Sequence, residues 1–257
     1  MTVEGNFDYA SARVHAHYGR RLREVDWRLL EASRDLRHYL DAVRASALSG
    51  WVATFDVTRD SHAIERSLRL EWRRYVEDVA TWHPHEWQPW LTWLGWLPFL
   101  SLLAQLALPD RVPPWILADP VCAAIATGTL IERRSAVLKD NALAPFEPAI
   151  SGKVPTATLW RAHWQVLMPQ TDAHTDQLLT ALLLTIDRYA EKLSTIVGSA
   201  AGLREELDRR LTKLFRAGSN TIVATVCHLG LLALDIERLR GGMVTRSLFA
   251  AHTGEAA

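Results

Sequence analysis

Cysteine, lysine and net charge are all scarce in this chain. Only two cysteines, Cys122 and Cys227, occur in 257 residues, far apart and in apolar surroundings. That excludes a disulfide scaffold and points to two small buried side chains in a reducing compartment. Basic and acidic residues number 29 each, so the formal net charge is zero. A general nucleic-acid binder is thereby disfavoured, as is a surface held on anionic lipid by charge alone. Residues 1–21 lack the apolar core of a secretory signal, so the expectation is a cytoplasmic chain. Strand and hairpin signals are missing as well.

Motifs that carry chemistry are missing too. There is no Glu-x-x-His pair, which removes the di-iron bundle signature, and no His-Glu-x-x-His. "GSAAGL" at 198–203 lacks the lysine and the strand-turn-helix setting of a phosphate loop. No Gly-x-Ser-x-Gly elbow is present. "HPHE" offers His83, His85 and Glu86, but zinc needs three or four ligands in a defined geometry, and the stretch reads as a solvated turn before a helix. His15 and His17 are two apart on a helix and so face different ways. Glu205 and Glu206 are adjacent and make a poor acid–base pair. His228, in the apolar "TVCHLGLLAL", reads as a core histidine bonded to a neighbouring helix. The expectation is no metal, no cofactor and no catalysis by the chain itself.

Helical periodicity fills the space these absences leave. In 61–80, Ile64, Leu68, Trp72, Tyr75, Val76 and Val79 form one stripe, with Asp60 or Ser61 as cap. Residues 8–22 and 25–46 read as two further helices, the second burying Trp27, Leu30, Leu36, Tyr39, Leu40 and Val43. Helical spacing resumes over 122–138. Leu159, Trp160, His163, Trp164 and Leu167 share a face ahead of Pro169. Residues 171–197 carry a seam of Leu178, Leu179, Leu182, Ile186, Tyr189, Leu193 and Ile196. Leu203, Leu207, Leu211, Leu214 and Phe215 mark another helix, and 221–240 the last, closed by the glycines at 241–242. The fold class is all-α, about ten helices with no exact repeat. Two proline-rich connectors, 109–120 and 141–156, interrupt the pattern; the second suggests an N-terminal region, 1–145, and a C-terminal region, 150–257.

The densest feature is "TWHPHEWQPWLTWLGWLPFL", 81–100. Residues 90–108 carry no charge. At about 1.5 Å per residue they approach the ~30 Å of a hydrocarbon core. Pro98, Gly95, Ser101, Gln105 and the interior Trp96 weigh against a span. Trp87, Trp90, Trp93 and Trp96 recur every third residue, a row that winds round a helix and suits a helix buried on most sides. The alternative is an aromatic patch exposed for a partner, with Trp87 and Trp90 as candidate partner-binding residues. The basic clusters "GRRLR" (19–23) and "EWRRY" (71–75) read as wet helix faces, with Arg20 and Arg21 the candidates for an acidic partner.

Residues 9–51 add a resemblance. Tyr9, Ala12 and Arg13, then Asp35, Leu36, Tyr39 and Leu40, then Trp51, look like the opening of the family formed by the C and d subunits of V-type ATPases. Ile64, Glu65 and Leu68 resemble its third element, and "LWRAHWQVLMP" is similar to short bacterial relatives. The resemblance covers 8–108, with Arg13 its most distinctive match. It implies an all-helical funnel of three similar modules, without catalysis. Members of that family join the proteolipid ring to the central stalk and lie peripheral to the inner membrane face. Two alternatives remain open: a soluble interaction or apolar-ligand protein with a Trp-rich cleft, and a helical enzyme using His163 and His228.

Overall fold

The computed structural model describes residues 5–57, 60–108, 112–195 and 199–254, with side chains from Phe7 to Leu248. Every regular element among them is helical. In order these are α1 (Gly5–Gly19), α2 (Glu24–Glu31), α3 (Leu36–Arg44), α4 (Ser61–Ala80), α5 (Gln88–Thr92), α6 (Leu100–Gln105), α7 (Pro114–Leu117), α8 (Leu130–Lys139), α9 (Glu147–Ile150), α10 (Thr156–Val166), α11 (Ala173–Thr195), α12 (Ala201–Ala217) and α13 (Ile222–Gly254). Short 3-10 turns lie at Ser49–Val52, His85–Trp87, Trp93–Phe99 and Ala144–Phe146. Ile196, the last residue of the expected 171–197 seam, lies outside the described residues.

The chain separates into two compact units. A terminal unit takes residues 1–68, 81–84 and 170–257, and a central unit takes 69–80 and 85–169. In the terminal unit α13 packs against α1, α3, α11 and α12. Its face is set by Val223, Cys227, Leu231 and Met243, all buried. In the central unit α10 packs on α6, α9 and the Ala144–Phe146 turn. Helix α4 occupies its expected span, and Ile64, Leu68, Trp72, Val76 and Val79 are buried as the stripe requires. Asp60 caps it, its carboxylate accepting from the Ala63 N–H at 2.7 Å.

Two expected helices have different limits, and one expected connector is core. The 25–46 segment is broken into α2 and α3 because Asp35 turns its carboxylate onto the His38 N–H at 2.9 Å and starts a new helix. An N-cap of this kind competes with a continuous helix. In 122–138 only α8 is helical: Gly128 adopts φ 81°, and Thr129 with Glu132 forms a capping box. Within the 141–156 connector, Phe146, Ala149 and Ile150 are buried, so this stretch belongs to the central core.

The last helix, by contrast, is longer than expected. α13 runs straight through Gly241 and Gly242 to Gly254. The reason is a close approach: a Cβ on Gly242 would collide with the Tyr39 hydroxyl. Beyond it Arg246 lies 4.2 Å over the Tyr39 ring and donates to the carbonyls of Glu31 and Ser33, at 2.9 and 2.7 Å. The Glu31 carbonyl is the last of α2 and the Ser33 carbonyl follows just beyond it, where helix ends leave acceptors open. Gly242→Ala is therefore expected to destabilise the terminal unit by about 1–3 kcal/mol through overpacking, whereas Gly241→Ala, which meets open space, should be neutral or mildly stabilising. Urea melts of the two variants check this.

Candidate functional site

Two side-chain clusters stand out, one in each unit. In the terminal unit, α1 and the turn after it set Ala10, Val14, His17 and Arg21 at i, i+4, i+7 and i+11. α13 sets Thr225, His228, Leu232 and Asp235 at i, i+3, i+7 and i+10. Each series lies on one helical face, and the two helices pack together. The result is a polar seam inside an apolar interface. Arg21 holds Asp235 with two bonds, Nε to Oδ2 at 2.7 Å and Nη2 to Oδ1 at 2.9 Å. The same Nη2 reaches Asp208 of α12 at 2.7 Å. Three helical elements are thus tied by one guanidinium. Burial pushes the Asp235 carboxyl up, and the Arg21 bonds act against that shift. The planar fork suits this geometry, which lysine could not reproduce.

Two histidines lie along the same seam. His228 is almost fully buried, and desolvation pushes it down to about 3, with His17 and Arg21 adding repulsion. His83 is also buried, and desolvation alone lowers it to about 4. Its Nε2 bonds the Thr225 hydroxyl at 3.0 Å. Both rings are therefore neutral at physiological pH. His17 stacks on Trp82 at 5.5 Å and stands 6.0 Å from the His228 ring. His15 turns instead to Phe215, with Nδ1 2.8 Å from the Ser11 carbonyl oxygen. The pair at 15 and 17 faces different neighbours, as its spacing requires. The expectation of a solvated "HPHE" turn holds for His85 and Glu86, which are exposed, and fails for His83. Among the described residues no group of three or more His, Cys, Asp or Glu could hold a metal ion.

The central unit carries the indoles. Trp87, Trp90, Trp93, Trp96, Trp160 and Trp164 are all buried, Trp90 completely. Trp90 stacks on Trp164 at 4.6 Å, Trp160 on Trp164 at 5.4 Å and Trp93 on Phe146 at 5.2 Å. Trp93 donates its indole N–H to the Trp160 carbonyl at 2.9 Å, and Trp160 returns the bond to the Trp93 carbonyl at 3.1 Å. Trp164 donates to the Trp90 carbonyl at 3.2 Å, and Trp72 to the Leu94 carbonyl at 3.0 Å. In an α-helix the Leu94 carbonyl would be met by residue 98. Proline has no N–H to offer there, and the Trp72 indole supplies the hydrogen. The break at Pro98 thus leaves an acceptor that the Trp72 indole fills. Trp93→Phe and Trp160→Phe each delete one half of the clasp and put a smaller ring in place of a buried indole, so a hydrogen bond and packing volume are lost together. Each should cost about 1–3 kcal/mol, read from urea denaturation, with the central unit losing its near-ultraviolet signal first.

The residues expected to meet partners are thus placed as follows. Arg13 lies 4.3 Å over the Trp82 ring and bonds the Tyr9 hydroxyl at 2.8 Å. Arg20 is exposed on the turn after α1. Arg21 is drawn into the seam. Trp87 and Trp90 lie inside the central core, so neither belongs to an exposed aromatic patch. His163 packs against Trp93 at 4.4 Å in the central unit, and His228 belongs to the seam of the terminal unit. Asp208 and Asp235 were not singled out in the sequence. The signal that could have found Asp235 is a lone carboxylate in an apolar helix, matched by an arginine on an α1 stripe. No helix among the described residues is long and apolar enough to cross a membrane. No family model, curated protein or solved structure matches this chain.

Proposed function

We propose that this protein is a non-catalytic adaptor between the proteolipid ring and the central stalk of a V-type rotary ATPase, peripheral to the membrane. The observation that carries the non-catalytic part is how the reactive-looking groups are used. The indoles bond backbone carbonyls of their own unit. The Arg21 cluster bridges α1, α12 and α13. Such internal bonding stiffens helix packing, and stiffness is what a body transmitting torque requires. The rotary-ATPase assignment rests on the resemblance of residues 8–108 alone. Within it, Arg13 and Arg20 remain the candidates for the stalk or ring contact, because Arg21 is engaged internally.

The Trp-rich cleft reading is weakened by the same burial, since a ligand would have to displace rings that already fill the core. The test is affinity purification of the tagged chain from native membranes. Recovery of both ring and stalk proteins is the expected result, reduced by Arg13→Glu with Arg20→Glu. Recovery of neither overturns the reading. Titration with an apolar ligand panel should leave the tryptophan emission maximum unmoved.

A further inference from the structure

Helix α11 buries Thr175, Leu179 and Leu182 on one face. Ile186 and Leu193 continue that face, four and eleven residues after Leu182, yet are 40% and 42% exposed. Tyr189 lies on the same stripe and is half-buried, and no described residue of α11 after Leu182 is buried. The helix therefore carries its core-facing stripe beyond the core that covers it. Beside the stripe runs a cleft between α11 and α12, floored by Tyr189, Leu203 and Leu207. Arg188, Lys192 and Arg210 form its walls, with Glu206 the one carboxylate among the described residues that line it. Glu206 is already neutralised, by Lys192 at 3.0 Å and Arg210 at 2.5 Å. Arg188 has no ion-pair partner among the described residues. Asp187, Glu191 and Glu205 sit roughly 110–150° round their helices from the cleft and do not offset its charge.

We propose that this end of the α11–α12 pair docks an acidic amphipathic helix of a partner protein. Its apolar anchors, spaced i, i+3 or i+4, and i+7, cover Ile186, Tyr189 and Leu193, and its carboxylates meet Arg188, Lys192 and Arg210. Charge complementarity selects the occupant: a second copy of this surface would bring the same cations against them, a like-charge arrangement that costs affinity. The argument uses α11 and α12 alone and does not rest on the rotary-ATPase reading.

The test titrates the full chain into two fluorescently labelled, stapled helical peptides, one built of leucine and glutamate, the other with lysine in place of each glutamate. The glutamate peptide should give a saturable rise in anisotropy and the lysine peptide none. Arg188→Glu should weaken binding by roughly tenfold. Leu193→Ser, which leaves the charge untouched, should weaken it comparably. Both sites are exposed, so circular dichroism should match the unaltered chain. The proposal is overturned if the glutamate peptide fails to bind, if the lysine peptide binds equally, or if either variant binds like the unaltered chain. Self-association in sedimentation that Leu193→Ser abolishes would overturn it as well.

Discussion

Arg21→Met is expected to lower the stability of the terminal unit by about 3–5 kcal/mol, because it strands Asp235 as a buried carboxylate without its cation. Only the unpaired charge makes the loss that large. The double variant Arg21→Met with Asp235→Leu should regain most of it, since a well-packed apolar pair often matches a buried ion pair. Asp208→Asn should cost much less, because its side chain is 40% exposed and Asp235 keeps its two bonds. Urea midpoints of the four proteins check the series. Equal destabilisation by Arg21→Met and Asp208→Asn would show that the seam is not organised around Asp235.

Acid should unfold the terminal unit well before its carboxylates are fully protonated. His83 and His228 have folded values of about 4 and about 3, against 6.5 in an unfolded chain. Well above pH 6.5 both are neutral in either state and contribute no pH dependence. As the pH falls through 6.5 the unfolded chain takes up two protons that the folded chain refuses. Stability then declines by up to about 2.7 kcal/mol per pH unit, and by about 5 kcal/mol at pH 4.5. That is comparable to the whole stability of a typical domain, roughly 5–15 kcal/mol. His228→Leu should roughly halve the slope between pH 6 and 4.5, whatever it does to stability at pH 7. A slope unchanged by that substitution would mean the ring is not held neutral by burial.

Much of the helical layout was legible because stripe and helix coincide. Ile64 to Val79 predicts α4 to the residue, and Trp160 with Trp164 predicts the buried face of α10. What the pattern could not carry were choices made by single side chains. Asp35 fits the exposed face of the 25–46 periodicity until its carboxylate caps the next turn. Gly242 looks like a stop signal, and only the Tyr39 hydroxyl across the interface shows why a helix needs it. The same limit held at the seam. Arg21 was visible as part of a basic cluster, a pattern that usually means a wet face, but its partners lie 187 and 214 residues away along the chain. Local periodicity has no access to separations of that size. The tryptophans were legible as core, yet their partners were not, because the carbonyls they meet lie 22 to 74 residues away along the chain.

The interleaving of the two units has a consequence for biosynthesis. The central unit draws on a stretch that ends at residue 169, so all its segments have been synthesised before the ribosome begins α11. Helix α1 is made first, but its packing surface on α13 is made last. Until then the guanidinium of Arg21 and the apolar side of α1 stay open to water, chaperones and wrong partners. Closing that long span late makes the first helix the one most exposed to misassembly during synthesis. A stop codon that removes α13 would leave the nascent amino-terminal segments without their counterpart, while the stretch between them is already whole.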